Sequence, residues 1–129
     1  MEWNFRNDLP IYSQLIERIR LEIVSGALRP GERLPSVRDM AMEAGVNPNT
    51  MQRAMQELER AGMVYSVRTA GRFVTEDVSV ISAVRRTIAA EQIRTFLSSM
   101  RLLGIEREEA WKLLEESMKE EEQHGSAGM

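Results

Sequence analysis

The sequence predicts a mainly α-helical protein with one small β-hairpin: a winged helix-turn-helix domain over residues 1–76 and a two-helix segment over residues 77–129. Three observations predict it. Two short apolar-striped stretches meet at a tight turn, Gly45-Val46-Asn47, behind a longer amphipathic stretch, which is the helix-turn-helix arrangement. A run of β-formers, Met63-Val64-Tyr65-Ser66-Val67, faces a second, Phe73-Val74-Thr75, across a glycine-bearing turn with two arginines. Beyond residue 77 the apolar period returns to that of a helix, broken once at Gly104.

Each element has its own warrant. Residues 1–9 are a polar lead-in with Trp3 and Phe5, compatible with a short strand or with loose packing. Pro10 suits the opening of a helix, its missing N–H being one no helical turn would use. Tyr12, Leu15, Ile16, Ile19 and Ile23 then fall on one face, and Gly26 is a plausible stop. Residues 27–32 read as a turn punctuated by Pro30-Gly31. Ser36 and Asp39 have the spacing of a capping box, and Val37, Met40, Ala41 and Ala44 form the stripe of a two-turn helix ending at Gly45. Asn47 is an N-cap and Pro48 a first-turn residue for the third helix, which buries Met51, Ala54, Met55 and Leu58 and closes at Gly62. Residues 78–103 read as one long helix and 106–120 as a last one, with Glu106, Glu108 and Glu109 at its positive N-terminal pole. The charged, then small and polar, tail from about 120 is expected to be disordered.

Composition limits the chemistry. The chain has 129 residues, no cysteine and one histidine, His124. That excludes disulfides, thiolate metal sites and cysteine nucleophiles, and leaves no triad or multi-histidine centre. No paired carboxylates or phosphate-binding glycine loop appear either, so an enzyme is not expected, nor a cofactor. The N-terminus lacks the basic and apolar regions of a signal peptide, and no apolar run approaches the ~20 residues that span a bilayer. The expectation is a soluble, cytoplasmic protein with no membrane partner. The net charge of -3 is unevenly spread. Residues 33–75 hold six basic and four acidic groups, whereas residues 76–129 hold seven and eleven. An acidic protein still binds an anion if its cations share one face, and the middle third is where such a face would lie.

The third helix supplies the candidate. Opposite its apolar stripe stand Asn49, Gln52, Arg53, Gln56 and Arg60, with Thr50 at the edge and no acid before Glu57. Amides and guanidinium groups read base edges: Asn or Gln bidentate to adenine, Arg bidentate to guanine. The N–H groups at a helix start also favour a phosphate. Arg38, in the first turn of the second helix, is placed to reach the DNA backbone. Arg68 and Arg72 flank the hairpin tip, and a slim tip with Gly71 suits a minor groove. Most polar helix faces are merely solvated; here the face follows a tight turn and precedes a basic hairpin, and the combination favours double-stranded DNA. The candidate contacts are Ser36, Arg38, Asn47, Asn49, Thr50, Gln52, Arg53, Arg68, Gly71 and Arg72. A winged helix that binds protein and not DNA is the alternative.

A longer pattern runs through the same residues. Gly26-x-Leu28-x-Pro30-Gly31-x-x-Leu34-Pro35-Ser36-x-Arg38-x-Met40-Ala41, then Gly45-Val46-Asn47-Pro48-Asn49-Thr50, then Leu58-Glu59-x-x-Gly62, resembles the winged helix-turn-helix domain of GntR-type bacterial transcription regulators over residues 10–75. Asn47-Pro48-Asn49-Thr50 and the short C-terminal segment resemble the YtrA-type subfamily, whose members are small dimeric repressors. The resemblance implies that Arg38 contacts DNA, that Asn49, Thr50 and Arg53 read the major groove and that Gly71 approaches the minor groove. The sequence departs from the pattern in the wing, where Thr69 takes the first glycine position and Arg72 stands where a smaller residue is common. A β-branched residue disfavours positive φ, so a reshaped wing tip is expected. Pro48 replaces a basic residue of longer members.

Some fifty C-terminal residues in two helices are too few to enclose a ligand cavity, but enough for an interface. A small-molecule effector is compatible with that segment, though no residue pattern indicates one. Ile81, Val84, Ile88, Ile93, Phe96, Leu97, Met100, Trp111 and Leu114 form apolar stripes that a hairpin of helices cannot bury alone. A two-fold partner would complete them, so a homodimer is expected, presenting two winged helices to a palindromic operator.

Overall fold

A computed structural model of the chain describes residues 1–128, with side chains through His124. Its elements, in order, are α1 (Ile11–Val24), α2 (Val37–Ala44), α3 (Pro48–Arg60), β1 (Val64–Val67), β2 (Gly71–Val74), α4 (Val78–Leu102) and α5 (Arg107–Gly128). Two compact units result: Met1–Arg86, and a second that begins at Thr87.

The first unit is built around α3, which packs against α1, α2 and β1. Its Met51, Ala54, Met55 and Leu58 are all essentially inaccessible, as are Leu15, Ile19 and Ile23 of α1 and Met40 and Ala41 of α2. The predicted boundaries follow their caps. Ser36 Oγ accepts the Asp39 N–H at 3.0 Å and Asn47 Oδ1 the Asn49 N–H at 2.8 Å. Gly26, Gly45 and Gly62 take positive φ just past the three helices, where a left-handed residue closes the last turn. Pro10 is the N-cap and Ile11 the first helical residue.

The hairpin pairs antiparallel, Val64 opposite Val74 and Val67 opposite Gly71, so the turn is Arg68-Thr69-Ala70. A third segment joins it. Residues 31–34, which begin inside the turn expected at 27–32, line the outer edge of β2: Val74 N–H donates to Glu32 O at 2.8 Å and Leu34 N–H to Arg72 O at 2.9 Å. Pro30 and Gly31 dominate that stretch as turn signals and mask the single β-bridge, Arg33 with Phe73, that follows. Residues 1–9 form no strand; Trp3 stacks on Phe5 at 5.9 Å, and Gln14 holds the Arg6 backbone through both ends of its amide.

The first turns of α4 belong to the first unit, beyond the boundary expected at residue 76. Ile81 is 4% exposed, and Arg85 donates through two nitrogens to the Val24 carbonyl left over at the end of α1. In the second unit, Gly104 separates α4 from α5 with φ +79°. The last helix runs past residue 120, where a disordered tail is expected. It ends at Gly128, with the good helix formers Glu120, Glu121, Glu122 and Gln123 in its last turns. Met129 lies outside the described residues. No helix is long and apolar enough among the described residues to cross a membrane.

Candidate nucleic-acid interface

The polar face of α3 is open. Asn49, Arg53, Gln56 and Arg60 are exposed; Thr50 and Gln52 are half-buried at its two edges. α2, which packs on α3, carries Arg38, also exposed, in its first turn. Ser36 and Asn47 serve as caps, their side-chain oxygens engaged by backbone N–H groups. Their part in any contact therefore runs through helix geometry: at α3 Pro48 has no N–H, and the Thr50 and Met51 N–H groups both donate to Asn47 O, at 3.0 and 3.1 Å.

Two candidate readers are held from either side. The Arg53 guanidinium sits 4.9 Å from the centroid of the Tyr12 ring, a cation–π contact that restricts a long side chain without consuming its donors. Tyr12 reads from sequence as a core residue of α1, and it is half-buried; its contact joins residues 41 positions apart, beyond any periodicity signal. On the other edge, Arg72 reaches from β2 onto α3. It donates through Nε to Glu59 at 3.3 Å and through Nη1 to the Gln52 amide oxygen at 3.3 Å. Ser66, its cross-strand partner, donates to the same Glu59 oxygen at 2.6 Å. That Ser66 bond, with Arg72 beside it, holds the Glu59 carboxyl below the usual carboxylate range.

This places the two wing arginines differently from the flanking pair expected. Arg68 is exposed in the turn; Arg72 lies one register step below the closing Val67–Gly71 pair with its side chain 18% exposed, bracing the hairpin against α3. The reshaped wing tip expected from Thr69 is also corrected. Thr69 adopts φ +70°, the left-handed conformation itself. The Val67–Gly71 closure and the Ala70 N–H to Val67 O bond at 3.0 Å hold the turn there, so the β-branched side chain bears the strain and the backbone does not yield. Gly71 has φ +113°, and a Cβ there would stand 3.2 Å from Arg33 Nε. Arg33, which sequence reasoning passed over, thus lies against the wing. It lines a cleft of about 340 Å³ with Ser36, Ser66, Thr69, Gly71 and Arg72.

The expected interface residues divide. In the second unit Ile88 is buried, and Phe96, Leu97 and Met100 are half-buried, while Ile93 (58%), Trp111 (64%) and Leu114 (38%) are open to solvent; Val84, half-buried, lies in the first unit. Ala89, Ile93, Phe96, Leu97, Ala110, Trp111 and Leu114 line an apolar cleft of about 560 Å³ between α4 and α5. Ile81 is buried within the first unit.

Three packed helices, a capped third helix with an amide and guanidinium face, and a braced β-hairpin define a winged helix-turn-helix regulator. The sequence pattern of the bacterial regulatory proteins of the gntR family matches residues 11–74, and the chain belongs to that family, within its YtrA-type subfamily. It is a transcription regulator and not an enzyme. The chain is similar to the HTH-type transcriptional regulator YhcF of Bacillus subtilis, 38% identical over 84% of this chain and 90% of that protein. It is 31% identical to the HTH-type transcriptional repressor YtrA of the same organism, over 86% of each. A GntR family transcriptional regulator from Listeria monocytogenes superposes with a TM-score of 0.80 at 38% identity, covering 87% of this chain and 98% of that one. The DNA-binding domain of AraR, solved in complex with operator ORX1, matches 58% of this chain and 96% of its own, with a TM-score of 0.53 and 30% identity.

Proposed function

We infer that this protein is a sequence-specific DNA-binding transcriptional repressor, acting as a homodimer on a palindromic operator. The open face of α3 carries the reading: Asn49, Gln52 and Arg53 stand at the capped start of a helix whose other side is wholly core. Such a face suits the major groove, with Arg38 on the sugar–phosphate backbone and Arg68 and Gly71 at the minor groove. That the AraR domain of the same fold was solved with operator DNA supports this use of the face. The repressor sign is supported by the name of YtrA.

The homodimer is supported by the second unit. Trp111, Ile93 and Leu114 expose apolar surface around one cleft, and a second copy is the occupant that also doubles the reader. The proposed division of labour assigns DNA to residues 1–86 and pairing to the helices beyond.

Titration of purified full-length protein onto duplex DNA at increasing salt tests the reading. A DNA binder loses affinity steeply with salt as counterions return to the phosphates. Arg38→Ala is expected to weaken binding to all sequences and to reduce the salt slope by about one per half-site. Affinity absent at low salt from folded protein would favour the alternative, a winged helix that binds protein.

A further inference from the structure

We propose that Arg72 selects the base that Gln52 reads, turning an amide suited to adenine into a donor suited to guanine. The inference rests on α3 entering the major groove. A glutamine recognises adenine by presenting both ends of its amide side by side, the oxygen accepting from N6 and the nitrogen donating to N7. In this protein the oxygen end is occupied. Arg72 Nη1 donates to Gln52 Oε1 at 3.3 Å, and because a guanidinium only donates, the contact fixes which end of the amide faces the wing.

The arginine is not free to leave. Its Nε is held by Glu59, seven residues along α3 from Gln52, and Glu59 is in turn held by Ser66 on β1. Strand register places Ser66 and Arg72 opposite each other, so both strands of the hairpin grip the same carboxylate. The Gln52 NH2 group is left as the free end. The adjacent guanidinium charge acts in the same direction, repelling the amino hydrogens of adenine and cytosine and favouring the O6 and N7 acceptors of guanine.

The test is a set of affinities, at one salt concentration, for duplexes that vary the base contacted by Gln52. That base is the operator position at which Gln52→Ala loses its preference. Wild-type protein is expected to favour guanine over adenine there by about tenfold. Arg72→Met, which keeps the bulk and removes the donors, is expected to shift that preference to adenine while leaving the other positions unchanged. Arg72→Lys is the second variant. It retains a charge for Glu59 but lacks the planar fork that spans Glu59 and Gln52 together, and it is expected to shift the preference the same way. Adenine preferred by the wild type, or a guanine preference untouched in a folded Arg72 variant, overturns the proposal. So does a Gln52→Ala protein with every base preference intact. If the wild type shows no sequence preference at any position, the DNA-reading function itself fails along with it.

Discussion

At the scale of single residues, the structure separates side chains that lie open on the face of α3 from side chains that hold elements together. Arg53 lies on the open face with its donors available, so Arg53→Ala is expected to cost ~1–3 kcal/mol on operator DNA and to relax base preference at one position. Fluorescence anisotropy on cognate and random duplexes checks this; equal loss on both would reduce Arg53 to a phosphate contact. Thr69 is the opposite case, a residue carrying backbone strain at φ +70°. Thr69→Gly is expected to raise stability by roughly 1 kcal/mol in urea unfolding, since glycine takes that conformation without the Cβ clash. The polar face of α3 was legible in the sequence because a helix puts its residues on one side by spacing alone. Tyr12, Arg33 and the inward turn of Arg72 were not, because each depends on a contact between elements that no local period encodes.

At the scale of elements, the caps and the wing attachment decide how precisely α3 is presented. Ser36→Ala removes the acceptor for the Asp39 N–H and is expected to cost about 1 kcal/mol by thermal or urea unfolding. The first three helices were legible almost to the residue because caps and left-handed glycines mark their ends, as at Asn47 and Gly62. The strand pairing of residues 31–34 was hidden because one bridge leaves no alternation to detect. The wing's grip on α3 carries a pH signature. Glu59 titrates below its ordinary value in the folded protein, so its stabilisation is complete above about pH 4.5 and is lost as pH falls through the folded value. NMR signals of the Arg72 and Ser66 side chains should move in that acid window, and Glu59→Gln should abolish the movement. Signals that stay fixed throughout acid titration of the folded protein would contradict the bracing role.

At the scale of the molecule, the account describes two readers joined through helical segments that cover each other. Removing the chain after Arg86 keeps Ile81 and the Arg85 contact to Val24 within the first unit, and sedimentation is expected to show a folded monomer for the truncated protein and a dimer for the full chain. A truncated chain that still pairs would place the interface elsewhere. The apolar stripes of α4 and α5 were legible as stripes; what the sequence left mixed was which members are spent within the chain, as Ile81 and Ile88 are, and which remain open, as Trp111 and Ile93 do. The central claim, that a dimer reads DNA through α3, is tested most directly by selecting binding sites from a random duplex library with the full-length protein at fixed, near-physiological salt. The account predicts enrichment of a two-fold symmetric motif with half-sites about one helical turn apart or a multiple of it. Protein shown to be folded and dimeric that enriches no motif would contradict it.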